Sequence, residues 1–375
     1  MTELSISLMV DWEEVAELPV TDASFSRVWN GRSGWSARLP FERWIWDLCQ
    51  TNGQQNVGTG VVVTQDGSQW VGLMGDGYPL IVDGQTLEFA GISLLSTLAR
   101  RVPSPNPSSP WATGGNEFHT VTEASTTAAW ANFLNAQCGT GAYALGTAPR
   151  RLPPDWAFVA VAGGPAKTIK ARWAPNLLEL VETIGKGDEI DFDLALANQA
   201  VTATIRWKPS SGDPVAVLSP DLGDVESYRV GTNRSWKPVS IAGGKGEGAS
   251  RPISASTITG AVPTIEEWFE ASSAETAPEV QAAAIAHRID RQQISQPLEL
   301  VLNGSGQTIF GRDFQVGDMV LVDVPDLAMV KARVMEATTT VRGADVSTRV
   351  VVGSGVFDAR MTPNWGPRFG RLEGR

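Results

Sequence analysis

Between Ser240 and Arg251 the chain reads SIAGGKGEGASR. Gly243, Gly244, Gly246 and Gly248 interleave with Lys245 and Glu247, and the run closes on Arg251. So dense a glycine run must turn tightly or bring backbones together, because only glycine visits positive φ without steric cost. It follows a strand-like segment, Val225 to Val230, and separates a helix-containing first half from a strand-rich second half. Alanine at Gly246 or Gly248 is expected to disturb folding or assembly through backbone geometry, not through loss of a ligand.

A phosphate cradle is the first chemistry such a run suggests, and its wording excludes it. A P-loop needs a hydroxyl residue directly after its Gly-Lys pair, yet Gly244-Lys245 is followed by Gly246. A dinucleotide fingerprint opens a helix, whereas Pro252 directs the chain into an extended path. The reading that remains is a strand-to-loop crossing in a β-rich domain.

At 375 residues there is room for two or three domains. With 38 glycines, 23 prolines and 19% charged residues, the composition suits strands and loops rather than a helical bundle. A formal charge of −11 argues against nucleic-acid binding, which calls for a basic face. Cys49 and Cys138 show neither metal spacing nor a disulfide framework, and are expected as small buried thiols. The opening MTELSISLMVDWEE is acidic and its apolar run is too short for a signal peptide. No run of about 18 apolar residues offers a membrane span, and synthesis in a bacterial cytoplasm fits these features. Fourteen tryptophans, spread along the chain, are expected to pack in cores and contacts more than to stack on sugars.

Alternation of apolar residues predicts strands at Leu4–Val10, with one buried face, and at Trp35–Leu39. A hairpin is expected at Gly60–Thr64 and Trp70–Met74 around Gln65-Asp66-Gly67-Ser68, then a strand at Thr86–Ala90. Leu94, Leu95 and Leu98 fit a short helix ended by Pro103, and Pro103–Gly115 reads as a loop or linker. Ala129 to Ala136 predict a helix ending near Gly139, and Trp156–Ala162 a strand. Pro175–Gly185 predicts a second helix with Gly185 as its left-handed stop. Ile190–Leu196 and Val201–Trp207 alternate as a hairpin packed on the helices. Beyond the glycine run come a strand or helical turn at Thr264–Glu270 and a helix at Pro278–Arg291. Strands follow at Leu298–Leu302, after Gly317-Asp318, at Val330–Val334, at Thr338–Val341 and at Val346–Val352. Residues 361–375 carry no apolar period and read as an extended tail that orders against a partner.

Catalytic wording is sparse. His119 falls in a polar stretch and His287 on the predicted helix; no HExxH and no GxSxG occurs. Asp191 with Asp193, and Glu266 with Glu267, are the carboxylate pairs closest to a glycosidase arrangement. The wet face of a sheet explains them more simply. No catalytic, cofactor or metal residue is expected.

Four stretches in order resemble a known family. They are LEFAGISLLSTLARR (Leu87–Arg101), LSPDLGDVESYRVGTN (Leu218–Asn233), VSIAGGKGEGASR (Val239–Arg251) and FGRDFQVGDMVLV (Phe310–Val322). Together, over about residues 35 to 355, they are similar to the tail-hub or minor tail proteins of siphophages, common in phages of actinobacteria. The resemblance implies an α+β, mainly β fold: two tail-tube-like β-barrels with α+β insertions. The regions expected are a barrel-like 1–102, an α+β 103–212, a second barrel-like 213–360 with the helix 278–291, and the arm 361–375. Structural turns are expected at Gly243, Gly244, Gly246, Gly248, Arg251, Gly317 and Asp318. The arm carries Trp365, Arg368, Arg371 and Arg375 on an otherwise acidic chain, which suits an assembly contact.

The function implied is a structural hub of the virion, requiring no chemistry. It closes the tail tube as a homotrimer and links the distal tail protein, the tape-measure protein and the tip fibre. DNA passes through its lumen without specific binding. A tail-tip adsorption protein that binds host-surface glycans is the alternative, and a wall-degrading enzyme is a third reading.

Overall fold

A computed structural model describes residues 4–53, 58–74, 80–108, 117–143, 150–171, 176–230, 233–234, 238–257, 265–271, 274–292, 294–295, 298–325 and 329–353. Trp365, Arg368, Arg371 and Arg375 lie outside the described residues. The chain is mainly β. Contacts group it into two units: residues up to Tyr228 together with Glu299–Val352, and Arg229–Leu298.

The larger unit holds a 14-stranded sheet. From one edge its strands run Glu13–Glu17, Leu4–Val10, Gly60–Gln65, Ser68–Met74, Thr86–Ser93, Gly34–Pro40, Asp22–Val28, Val330–Arg342, Asp345–Gly353, Leu298–Leu302 and Val225–Val230. Met319–Val322 branches from Val330–Arg342 and carries Ala216–Leu218, while Ile81–Asp83 pairs with Thr86–Ser93. Val330–Arg342 lies antiparallel to Asp22–Val28, so strands from both ends of the chain meet in one sheet. Local turns set the hairpins. Asp66 (φ 48°) and Gly67 (φ 82°) close the predicted one, and both turn residues lie in the left-handed region that two-residue hairpins require.

Leu4–Val10 differs from its expected one-sided burial. Ile6, Leu8 and Val10 enter one core with Val61, Val63, Trp70 and Phe89. Met9, on the opposite face, enters a second core with Val62, Val71, Leu73, Trp130, Phe133 and Leu134. The unbroken GVVVT run already has the composition of a strand buried on both faces. The second core is closed by the helix Thr126–Gln137, capped by Ser125, whose hydroxyl accepts from the Ala128 amide. Trp130 and Leu134 are completely buried; burial of each such side chain contributes about 1.5–3 kcal/mol. Ser104, near the start of the proline-rich stretch, is also buried. Gln137 accepts from its amide at 2.8 Å and donates to its carbonyl at 2.7 Å.

Other expectations are corrected. A helix not foreseen, Arg43–Gly53, buries Ile45 and Cys49 one turn apart. Leu177–Leu180 continues through a wide turn, Val181–Gly185, and Gly185 does not stop it; the left-handed residue is Glu189 at φ 56°. Val330–Val334 and Thr338–Val341 are one strand, because Ala337 carries the buried alternation across the gap. His119 opens a strand, His119–Glu123, and stacks on Phe133 with ring centroids 5.2 Å apart. Burial lowers its pKa, and Gln137 lies 3.0 Å from its Nδ1.

Both thiols are buried and unpaired. Burial pushes Cys49 up to about 11 and Cys138 up to about 12. Since the thiolate is the reactive form, a disulfide reagent at pH 8 is expected to label neither in the native chain and both in guanidinium. Rapid native labelling would contradict this packing.

Candidate functional site

In the larger unit, the predicted Gly317-Asp318 entry organises a buried charge cluster. The hairpin Ile190–Ala197 and Ala200–Trp207 turns on Asn198 and Gln199 (φ 49° and 56°), which brings Asp191 near Lys208. Lys208 Nζ lies 2.7 Å from Asp191 Oδ2 and 2.9 Å from Asp318 Oδ1, with all three side chains under one-fifth exposed. It also donates to the Val316 carbonyl at 3.3 Å. Asp318 Oδ2 accepts from the Gln315 amide at 2.8 Å, and Gly317 turns the chain at φ 89°. Arg333 donates to the Gly317 carbonyl at 2.7 Å, reaches Glu189 at 3.4 Å and lies 4.3 Å over the Trp29 ring. Trp29 Nε1 in turn donates to the Ile190 carbonyl at 3.0 Å.

Burial raises the Asp191 carboxyl against the pull of Lys208. Burial alone would lower the Lys208 ammonium, but the two carboxylates outweigh it and hold it above its ordinary value. The cluster ties three distant segments together through ion pairs. It corrects the wet-face reading of Asp191, which holds for Asp193, 56% exposed and 3.4 Å from Arg206. Both aspartates border a cavity of about 110 Å³, well below the roughly 300 Å³ at which ligand pockets begin.

In the smaller unit the glycine run leaves a three-stranded sheet. Val239–Gly243 pairs antiparallel with Ile253–Thr257 and parallel with Glu266–Glu270, and the helix Ala277–Gln292 packs on it. Of the two readings of Thr264–Glu270, a strand or a helical turn, the strand is found at Glu266–Glu270; Thr264 lies outside the described residues. Arg251 gathers the turn: its Nε donates to the Gly244 carbonyl at 2.9 Å and one terminal nitrogen to the Gly243 carbonyl at 3.1 Å. The same nitrogen pairs with Glu270, and the guanidinium lies 5.3 Å over Trp268, whose Nε1 donates to Glu270 at 2.9 Å. Gly246 and Gly248 have φ of 120° and 62°. The Gly243 and Gly244 carbonyls thus meet a cation, the reverse of a phosphate cradle, which presents amides to an anion.

Glu266 and Glu267 point to opposite faces: Glu266 is exposed, and Glu267 turns inward to 3.9 Å from His287 Nε2. His287 Nδ1 is 3.1 Å from Ser240 Oγ, and its ring stacks on Phe269 at 4.0 Å. This serine–histidine–carboxylate line is completely buried at Ser240, while His287 and Glu267 are partly exposed. Its role is to fasten helix to sheet. Among the described residues no group of three metal-ligating side chains occurs, and no helix is long and apolar enough to cross a membrane.

Sequence reasoning missed Lys208, Arg333, Glu189 and Trp29, whose partners lie more than a hundred residues away or follow a turn. For Arg251 a signal existed: Trp268 and Glu270 alternate in one strand and share a face.

No curated protein matches the chain. Among solved structures, a tail protein of Neisseria meningitidis MC58 is similar with a TM-score of 0.58 at 13% identity, over 94% of this chain and 96% of that one. The 43 kDa tail protein of prophage MuSo2 from Shewanella oneidensis gives 0.55 at 11% identity, over 93% and 97%. Prophage tail protein gp18 of Listeria monocytogenes EGD-e gives 0.51 at 8% identity, over 99% and 100%. At such identities the likeness is one of fold. The family described as Siphovirus ReqiPepy6 Gp37-like protein matches residues 12–354. With most of its length matched, the chain belongs to that family of siphovirus tail proteins.

Proposed function

We propose that the chain is the structural hub of a siphophage tail, a virion component that closes the tail tube. The observation that carries this reading is the single sheet joining both ends of the chain, in a fold shared end to end with phage tail proteins. In this reading regions 1–102 and 213–360 each supply a tube-like barrel, and 103–212 an α+β insertion. Three copies then present six barrels to a sixfold tube, a closed rotational assembly. The lumen is acidic on balance, consistent with a charge of −11 per chain, so DNA slides past without counterion release. The distal tail protein, the tape-measure protein and the tip fibre are its neighbours. The buried Ser240 and the paired Asp191 are consistent with a structural role for both residues. Trp29, Trp35, Trp70, Trp130 and Trp156 are buried and pack in cores, whereas Trp44, Trp207 and Trp268 are exposed.

An electron cryomicroscopy map of the particle tests the hub: three copies below the tube are expected. Another copy number, or a lumen lined mainly by Lys and Arg, overturns it. The arm, with Trp365, Arg368, Arg371 and Arg375, is tested by deletion of residues 362–375. The shortened chain is expected to keep its melting temperature and to be lost from particles. Normal incorporation would refute the arm.

A further inference from the structure

The strand Asp22–Val28 sends Ala23 and Phe25 into the core, and the same alternation carries Arg27 to that side. A guanidinium placed there needs a partner for each of its donors, because a buried charged donor left unmet is costly. One end is met. Nη1 donates to Ser68 Oγ at 3.0 Å, and the group lies 5.7 Å from the Phe310 ring centroid. Nε and Nη2 are buried and have no hydrogen-bond partner. On the planar guanidinium these two nitrogens share one edge, and their parallel hydrogens form the fork that takes two oxygens of one anion at once. Burial lowers the Arg27 pKa to about 10, against the pull of Asp193, so the group is a cation at neutral pH.

Arg27 and Ser68 line the cavity of about 110 Å³ that Asp191 and Asp193 border. Such a space admits a small anion and is too small for a nucleotide or a sugar chain. The two aspartates limit the charge of a guest. Each has a cation of its own: Asp191 lies 2.7 Å from Lys208, and Asp193 lies 3.4 Å from Arg206. Their remaining field still tolerates one negative charge better than two. Asn30 Oδ1, also buried and without a partner, lines the same cavity and calls for a donor. A hydrated anion answers both needs, with its oxygens on the guanidinium edge and a water proton for the amide.

We propose that the Nε–Nη2 edge of Arg27 is a binding site for a small free monocarboxylate, each of whose two oxygens accepts one of these hydrogens. The site stands independently of the hub reading. Its guest completes the hydrogen bonding of a cation held between the strands Asp22–Val28 and Ser68–Met74.

The test follows the arginine Nε resonances of the full chain, labelled with nitrogen-15, as formate replaces chloride at constant ionic strength. Arg27→Lys identifies the Arg27 signal by its loss. A saturable displacement of that signal is expected with formate, and a smaller one with sulfate, a dianion. Asp193→Asn removes a negative charge from the cavity wall at a side chain that is more than half exposed, and should tighten formate binding several-fold. An Arg27 signal that ignores formate, or that responds more to sulfate, overturns the proposal. So does a signal displaced by Asp193→Asn without formate, since Asp193 itself would then be the partner of the edge. Should Arg27→Lys not fold, a crystal of the native chain grown in formate reads the site directly. Two oxygens of one formate at hydrogen-bond distance from Nε and Nη2 are expected there, and water alone overturns the proposal.

Discussion

Replacement of Lys208 by methionine is expected to cost about 3–5 kcal/mol at neutral pH, the range for breaking one side of a buried ion pair. The methionine keeps most of the stem and its packing, so what is lost is charge. Asp191 and Asp318, each under one-fifth exposed, are left sharing a site without the ammonium between them. Two carboxylates so placed cannot both stay ionised, and at least one moves up. Burial already raises Asp191 in the native protein, so the direction is set. The folded variant then holds a proton that the unfolded chain releases above about pH 4. Its stability therefore recovers as the pH falls, and the gap between native and variant chains narrows from pH 7 to pH 5. Guanidinium unfolding at both values measures this. A gap that does not change with pH would mean that methionine acts through shape, and Asp191→Asn in the same background would then restore nothing. In the native chain Lys208 has a linkage of the same sign, set at higher pH. Its folded pKa lies above the unfolded value of about 10.4, so its contribution is intact below that pH and is lost as the pH climbs through the folded value.

This cluster also marks where the sequence stops being legible. The hairpin at Asp66-Gly67 can be read because turn chemistry and alternation sit within fifteen residues, and both act locally. The helix Thr126–Gln137 is equally readable, since Trp130, Phe133 and Leu134 recur at helical spacing after the Ser125 cap. Arg43–Gly53 had a weaker version of the same signal, Ile45 and Cys49 one turn apart with an Arg43–Asp47 pair. Two tryptophans and Thr51-Asn52-Gly53 hid it. The pairing of Val330–Arg342 with Asp22–Val28 has no local signal at all. Strand partners three hundred residues apart are chosen by fit of whole faces, which alternation alone cannot specify.

The charge cluster fails for a related reason. Asp191 and Asp193 share a strand face and look alike in sequence. Only the arrival of Lys208 and the Gly317-Asp318 turn covers one and leaves the other wet. Burial that differs between two residues on one face is a tertiary fact. The glycine run is the intermediate case. Its density announced a turn, and its order excluded a phosphate cradle, but which glycine meets a wall and which only needs its torsion required the neighbours. That distinction sets the second large effect.

Within the run, Gly244→Val is expected to unfold the smaller unit, and Gly248→Ala to be the mildest change. A Cβ at Gly244 would sit 2.5 Å from Val280 Cγ2 and 2.8 Å from both the Ala274 carbonyl and the Pro252 ring. None of the three can withdraw easily. Val280 is fully buried in a core of Ala242, Ala271, Ala274 and Ala284, where small residues hold helix and sheet close. The Gly244 amide is bonded to the Pro252 carbonyl at 2.8 Å, and the Lys245 amide to the Ala274 carbonyl at 2.7 Å, so the backbone is pinned on both sides. Alanine there is expected to cost about 1–3 kcal/mol by overpacking, and valine adds two further methyls to the same clash. Gly246 and Gly248 have room, with no atom closer than 3.6 Å to the added Cβ at Gly246 and none within 4 Å at Gly248. Their cost is torsional: about 1–3 kcal/mol at Gly246, far outside the left-handed helical region, and about 1 kcal/mol at Gly248, which lies within it. Hydrogen exchange of the amides in Val239–Gly243 and Glu266–Glu270 reads this unit by itself. Protection there should fall most for Gly244→Val, less for Gly246→Ala and least for Gly248→Ala, with the larger unit unchanged. Protection that survives Gly244→Val would mean that the approach of Val280 does not govern the turn.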